Sequence, residues 1–277
     1  GGTCSGFNIT GTYHVVIYAR DLIGNSSIPK LTTVTVGSPL RRRAVIVCGG
    51  SQGDPLWPAV EKTGTMTYEA LKFQGYKDED IYFLSPVSFS PGVDGTATLR
   101  NLQYALTTWG AQSTEDLLVY LVGKGVYRGF QINAAETLTA NQLDMWLDTL
   151  QSSLSGKVTV VYDGDYAGSF VPDLIPPVGK QRIVIASTTG SQRAQFPSYG
   201  DISFSKYFWR KVLNGASVRD AFVQARGAME YCGGQVAGLD DTGNGVVNEK
   251  QDGVISRDYR LGVGIMLAGD DPVIGSV

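Results

Sequence analysis

The stretch that most constrains this chain is 157–170, KVTVVYDGDYAGSF. Val158, Val160, Val161 and Tyr162 make a short apolar, β-branched run, the composition of a strand buried on both faces. Gly164 and Gly168 then mark a tight turn around Asp163 and Asp165. A buried strand ending in a small-residue turn presents its next side chains at the carboxyl edge of a sheet, where open α/β sheets bind and react. The segment 116–122, DLLVYLV, has the same grammar and ends in Gly123-Lys124-Gly125. If the two strands are neighbours, Lys124 and Asp165 meet at one edge.

The order of elements follows from periodicity. Residues 44–48 and 81–84 read as further buried strands, and 182–186 (RIVIA) as another. Helical spacing runs over about 57–73, 98–109, 140–150, 204–213 and 218–229, and a last strand is expected at 259–266. Strands alternating with helices predict an α/β fold, a mostly parallel sheet with helices on both faces. Gly49 to Gly53 lacks the spacing of a phosphate loop and reads as a strand-to-helix turn. Before this domain, 11–37 alternates with period two around the turn Gly24-Asn25, which predicts a β-hairpin. Gly37-Ser38-Pro39 reads as a linker, so the expected units are 1–40 and 41–277. Arg41-Arg42-Arg43 reads as part of a solvated linker.

Composition excludes several functions. With 43% hydrophobic and 18% charged residues and a net charge of −3, the chain has a globular core and no basic footprint, so nucleic acid is not an expected partner. No apolar run reaches the roughly 18 residues of a membrane span. Gly1-Gly2-Thr3 opens mid-pattern and is expected to be a processed or cut start. The cysteines Cys4, Cys48 and Cys232 have no metal spacing. Cys48 reads as a buried core thiol. The single histidine, His14, sits in the first hairpin and reads as ordinary packing, which leaves no His base.

Several motifs in order carry a family resemblance: AVIVCGGSQGDPLWPAVEKTG at 44–64, GYKDEDIYFLSP at 75–86, the two strand–turn units, SFSKYFWRKVLNGASVRDAF at 203–222 and LDDTGNG at 239–245. From about 41 to its end the chain resembles the legumain-like branch of the caspase-fold cysteine peptidases. It looks closest to bacterial members that follow immunoglobulin-like or cadherin-like modules. The pattern Gly-x-Tyr-x-Val…Ala-x-Asp…Gly-Asn in the hairpin resembles the end of such a module. The resemblance implies a caspase-like fold preceded by a short immunoglobulin-like β segment. It also places a general-base His at Lys124, an oxyanion-type glycine at Gly125 and a nucleophilic Cys at Asp165. Asp163, Gly164, Tyr166, Ala167, Gly168 and Ser169 keep the shape of the nucleophile turn.

Neither substituted residue can do the family's chemistry. The reaction needs a thiolate that attacks a carbonyl and later leaves. A carboxylate is a far weaker nucleophile toward an amide, and a lysine with its ordinary pKa of about 10.4 is protonated at neutral pH. The swap nonetheless preserves the charge pattern, so Lys124 and Asp165 are expected to form a salt bridge, with two solvated side chains as the other reading. The expected function is a catalytically inactive, peptidase-like domain of a larger extracellular or cell-surface protein. Its role is structural or binding, with a protein or peptide partner and neighbouring β-domains of the same chain. The rival function is a hydrolase. One form is a residual cysteine-peptidase-like activity; the other is a haloacid-dehalogenase-like, Mg-dependent phosphatase using Asp163 and Asp165, with Ser187, Lys206 or Lys211, and Asp240-Asp241 as its later motifs.

No cofactor is expected unless it is calcium. DDTGNGVVNEKQD at 240–252 resembles a calcium loop, with oxygen ligands at Asp240, Thr242, Asn244, the Val246 carbonyl, Asn248 and Asp252, and Gly245 at the sharp turn. The twelfth position is Gln251 instead of a bidentate Glu. A metal-free polar turn is the other reading.

Overall fold

The computed structural model describes residues 11–36, 41–87 and 92–266. Cys4 and the linker Gly37-Ser38-Pro39 lie outside these. The chain divides into two compact units, 1–41 and 42–277.

In the first unit, β1 (Gly11–Ile17) pairs antiparallel with β2 (Lys30–Val36). The Asp21 carboxylate closes the connecting turn by accepting the N–H groups of Ile23 and Asn25 at 3.0 and 2.8 Å. His14 is exposed. Its expected packing role is therefore corrected: a two-stranded sheet has no second layer of its own to bury that face.

From the unit boundary onward come β3 (Arg41–Cys48), α1 (Trp57–Phe73), β4 (Ile81–Leu84), β5 (Val93–Gly95) and α2 (Leu99–Tyr104), which runs on into a wider turn, Ala105–Trp109. Next come β6 (Thr114–Gly123), the short strands β7 (Gly125–Val126), β8 (Gly129–Gln131) and β9 (Thr137–Thr139), and α3 (Ala140–Gln151). The chain continues through β10 (Lys157–Gly164), a 3-10 turn (Ala167–Asp173), β11 (Gln181–Ala186), α4 (Phe204–Leu213), α5 (Val218–Gly233), β12 (Gly238–Asp240) and α6 (Val254–Arg257). Seven strands form one sheet in the order β12-β11-β10-β6-β3-β4-β5. Only β12 is paired antiparallel among the pairs whose register is defined.

The near-continuous apolar strands are explained by two cores. In β6, Leu118, Tyr120 and Val122 face the core shared with α1, α4 and α5. Leu117, Leu121 and Val119 face the core shared with α2 and α3. Both faces are dry, so polar alternation has no place there. Local caps set the helix starts. Thr139 and Gln142 form a reciprocal capping box on α3, and the hydroxyls of Ser203 and Ser217 accept the Lys206 and Asp220 N–H groups at α4 and α5.

Two local expectations need correction. Arg41–Arg43 is not a solvated linker. Arg43 is buried with its guanidinium 4.5 Å from the Trp109 ring, and Arg42 donates to the Gly262 carbonyl at 2.5 Å. The stretch 259–266 forms no strand. Gly262 and Gly264 have φ of +99° and +74°, which breaks an extended run. The buried Gln74 holds the stretch instead, donating to the Ile265 carbonyl and accepting its N–H. The excursion after Lys124 folds into the small antiparallel sheet β7-β8-β9, whose strands are too short for a periodicity argument. At the sheet edge, Asn248 covers β12. Its backbone N–H donates to the Leu239 carbonyl at 2.8 Å, and its side chain accepts the Leu239 N–H and donates to the Ala237 carbonyl.

Candidate functional site

The parallel β6–β10 register pairs Gly123 with Gly164, so Lys124 and Asp165 leave adjacent strands at the same level. The turns touch. A Cβ on Gly125 would stand 2.2 Å from the Asp165 carbonyl oxygen and 2.2 Å from the Tyr162 hydroxyl. A Cβ on Gly164 would stand 2.4 Å from the Gly123 carbonyl oxygen, and one on Gly168 2.6 Å from that of Thr188. Glycine is required at all three because backbone approaches backbone there.

The expected Lys124–Asp165 salt bridge is corrected. Lys124 Nζ pairs with Asp54 Oδ2 at 2.6 Å. Asp54 comes from the turn between β3 and α1, a partner that sequence reading missed because that turn was weighed only for phosphate binding. Burial works against ionisation of Asp54, but the Lys124 bond and charge and the Leu56 N–H outweigh it and hold the carboxyl below the usual range. This bond spans the β3–β6 boundary, where the strand order reverses and doubly wound sheets open their crevice.

Asp165 Oδ1 accepts the Ala194 N–H at 2.9 Å. Burial pushes the carboxyl up from its ordinary range, opposed by that N–H and by the charges of Arg193 and Lys124. Arg193 in turn interacts with the Tyr166 phenol. The edge therefore carries alternating charges, Asp54, Lys124, Asp165 and Arg193, contributed by the turns after β3, β6, β10 and β11.

The nucleophile-like turn is over-determined. Tyr166 adopts φ of +56° and donates its N–H to the Gln192 carbonyl at 2.8 Å. Ser187 Oγ accepts the Gly164 N–H, and Thr188 Oγ1 accepts the Ala167 N–H. Ser169 Oγ accepts the Arg128 N–H at 2.7 Å and donates to the Tyr166 carbonyl at 2.7 Å. The Ser169 hydroxyl is thus engaged both as acceptor and as donor. The described thiols are elsewhere: Cys48 is buried in the core and its thiol pushed up by that burial, while Cys232 is exposed on α5.

The phosphatase constellation does not assemble. Asp163 is completely buried, with Oδ2 accepting from Ser205, so neither a phosphate ester nor Mg²⁺ reaches it. Ser187 is buried, Lys206 faces Asp201 at 3.8 Å, and Asp241 accepts from Gly253 and Ser256. Ser187 acts on the Asp163 carboxyl, while Lys206 and Asp241 are engaged in two other local networks.

The 240–252 loop satisfies its own oxygens. Asp240 Oδ1 accepts the Gly243 N–H and Oδ2 the Gly245 N–H, both at 2.8 Å, and Thr242 donates to Oδ1. Asn244 bonds the Val246 N–H and Glu249. Asp252 accepts from Asp241 and Glu249, and Asn248 is spent on β12. Among the described residues no cluster of three or more acidic, His or Cys side chains is arranged to hold a metal, and no helix is long and apolar enough to cross a membrane.

No protein-family model matches the sequence, and no curated protein matches it. The fold does match solved structures. The crystal structure of caspase-1 from Spodoptera frugiperda superposes with a TM-score of 0.54 at 9% identity, covering 83% of this chain and 92% of that one. At that identity the likeness concerns architecture alone: this chain is an α/β protein with a caspase-like fold.

Proposed function

We propose that residues 42–277 form a catalytically silent, peptidase-like domain of a larger extracellular or cell-surface protein, related to the legumain-like branch, with a structural or binding role toward a protein or peptide partner and neighbouring β-domains. One observation carries this reading. At the carboxyl edge of β6 and β10, the position of a base is a lysine locked to Asp54, and that of a nucleophile is a carboxylate bonded to a backbone N–H. Neither group can stand in for a thiolate or for the base that generates one.

Wild type is expected to hydrolyse no peptide on a fluorogenic panel that includes asparaginyl and arginyl substrates. Lys124→His with Asp165→Cys is expected to yield a thiol alkylated near neutral pH, because a neighbouring imidazolium lowers a thiol's pKa. Turnover by wild type that is lost in Asp165→Ala, or a double variant whose introduced thiol resists alkylation in the folded state, sinks the assignment.

The 240–252 loop is proposed to be a self-contained polar turn. Its carboxylates already hold N–H groups, so calcium gains no preformed cage there. The melting temperature is expected to stay constant from chelator to millimolar calcium. A rise with calcium would show binding to the native state and restore a cation to the loop.

A further inference from the structure

Asp163 is the one completely buried carboxylate at the rear of the candidate site. It lies on the β10 face that packs against α1, α4 and α5, two residues before Asp165. Its Oδ2 accepts two bonds from the start of α4: the Ser205 N–H at 2.9 Å and the Ser205 hydroxyl at 2.6 Å. Ser205 Oγ also lies 2.6 Å from the Tyr120 hydroxyl. Since the serine proton goes to Asp163, Tyr120 is the donor to Ser205. A single chain of bonds thus joins β6, α4 and β10.

The other oxygen, Oδ1, is buried with no hydrogen-bond partner. The groups around the carboxyl supply hydroxyls and one N–H but no opposite charge. From β6 comes Tyr120, beyond which lies Cys48 of β3. From the same strand comes Tyr162 and from the turn beyond it Asp165, a like charge; α4 and β11 contribute the hydroxyls of Ser205 and Ser187. No cation is among the groups that act on it.

We propose that Asp163 is held as the neutral carboxylic acid, a positioning residue whose one proton links the α4–β10 junction to pH. An isolated buried carboxylate without a cation is so costly that the group takes up a proton instead. A proton on Oδ1 also removes the orphan. Ser187 Oγ, which acts on the carboxyl and accepts the Gly164 N–H at 3.2 Å, has acceptor capacity left for that O–H once the side chain shifts into reach. Oδ2 stays free to accept both Ser205 donors. The assignment stands whether or not the domain is silent as a peptidase.

The direction of the linkage follows. Burial raises the Asp163 carboxyl above its ordinary range, against the bonds from Ser205 and the dipole of the nearby Ser187 hydroxyl. A raised carboxyl adds stability that is fully present below the unfolded value of about 3.9 and is lost as pH rises through the folded value. Asp163→Asn is the matched probe. Its amide oxygen can accept both Ser205 bonds and its NH₂ can donate toward Ser187, without a titrating proton.

The test is thermal unfolding of the whole chain and of Asp163→Asn from about pH 5 to pH 9, with infrared spectra of both at neutral pH. The variant is expected to fold, wild type to lose melting temperature relative to it as pH rises, and wild type alone to show a protonated-carboxyl band. If wild type instead gains on the variant as pH rises, Asp163 is ionised and the proposal fails. Failure of the variant to fold also overturns it, since the amide reproduces the bonds of the neutral acid. Where the difference is flat across pH, the band decides: its presence in wild type alone supports the acid, and its absence refutes it.

Discussion

Arg182→Ala is expected to destabilise the 42–277 unit by about 3–5 kcal/mol, the usual result of removing one partner from a buried ionic network. Arg182 is completely buried in β11. Its guanidinium donates to Asp144 Oδ1 at 2.7 Å, to Asp148 Oδ1 at 2.8 Å and to Gln151 Oε1 at 2.6 and 2.9 Å. All three partners lie on α3 at spacings that align on one helix face, so a single side chain clamps the helix to the sheet. Alanine leaves a cavity, two carboxylates without their cation and a glutamine without its donor. For a unit of this size each kcal/mol shifts the melting temperature by about 2–4 °C, so a drop of about 6–20 °C should appear in a thermal scan. Arg182→Met fills much of the volume and should recover part of the loss, because Asp144 and Asp148 reach solvent. If alanine lowers the melt by no more than about 2 °C, the clamp is not a stabilising element.

Trp209→Ala is expected to cost about 3–5 kcal/mol as a large-to-small change in a closed core. Trp209 of α4 is completely buried. Its ring meets Tyr120 edge-on at 5.0 Å between centroids and Phe208 at 5.1 Å. Unusually, the indole N–H has no hydrogen-bond partner. A buried N–H left unpaired already costs free energy in wild type, so Trp209→Phe removes a penalty along with part of the ring. Phenylalanine should therefore retain most of the stability that alanine loses. Equal losses in the two variants would refute the claim that the unpaired N–H carries a penalty.

Much of this architecture was legible because its signals are local and strong. The buried runs at 116–122 and 158–162 announce strands by composition, and the glycines after each announce turns. The juxtaposition of Lys124 with Asp165 followed from neighbouring strands of equal reach. What was not legible depends on partners distant in sequence. Nothing near Lys124 marks Asp54, which lies about seventy positions earlier in a turn whose glycines suggested only tightness. Arg193 and Ala194 reach Asp165 from a loop with no periodicity at all. The 259–266 strand failed for a related reason: β-propensity described its side chains, while two left-handed glycines and a buried glutamine decided its path. Arg43 shows the same limit, since a charge run tells nothing of an indole waiting more than sixty residues away.

Asn248 has a consequence for how the protein behaves among its neighbours. A terminal strand normally leaves a row of free peptide groups that any passing extended segment can copy, and this templating drives edge-to-edge aggregation. Here the Leu239 N–H and carbonyl, the groups that would recruit the next strand, are already engaged by the side chain and backbone of one asparagine in a left-handed turn, φ +60°. The amide imitates a peptide unit without having a chain to continue it. The sheet is thereby given a final member, and a concentrated or tandemly arrayed form of this domain is shielded at that border from growing into its own copies.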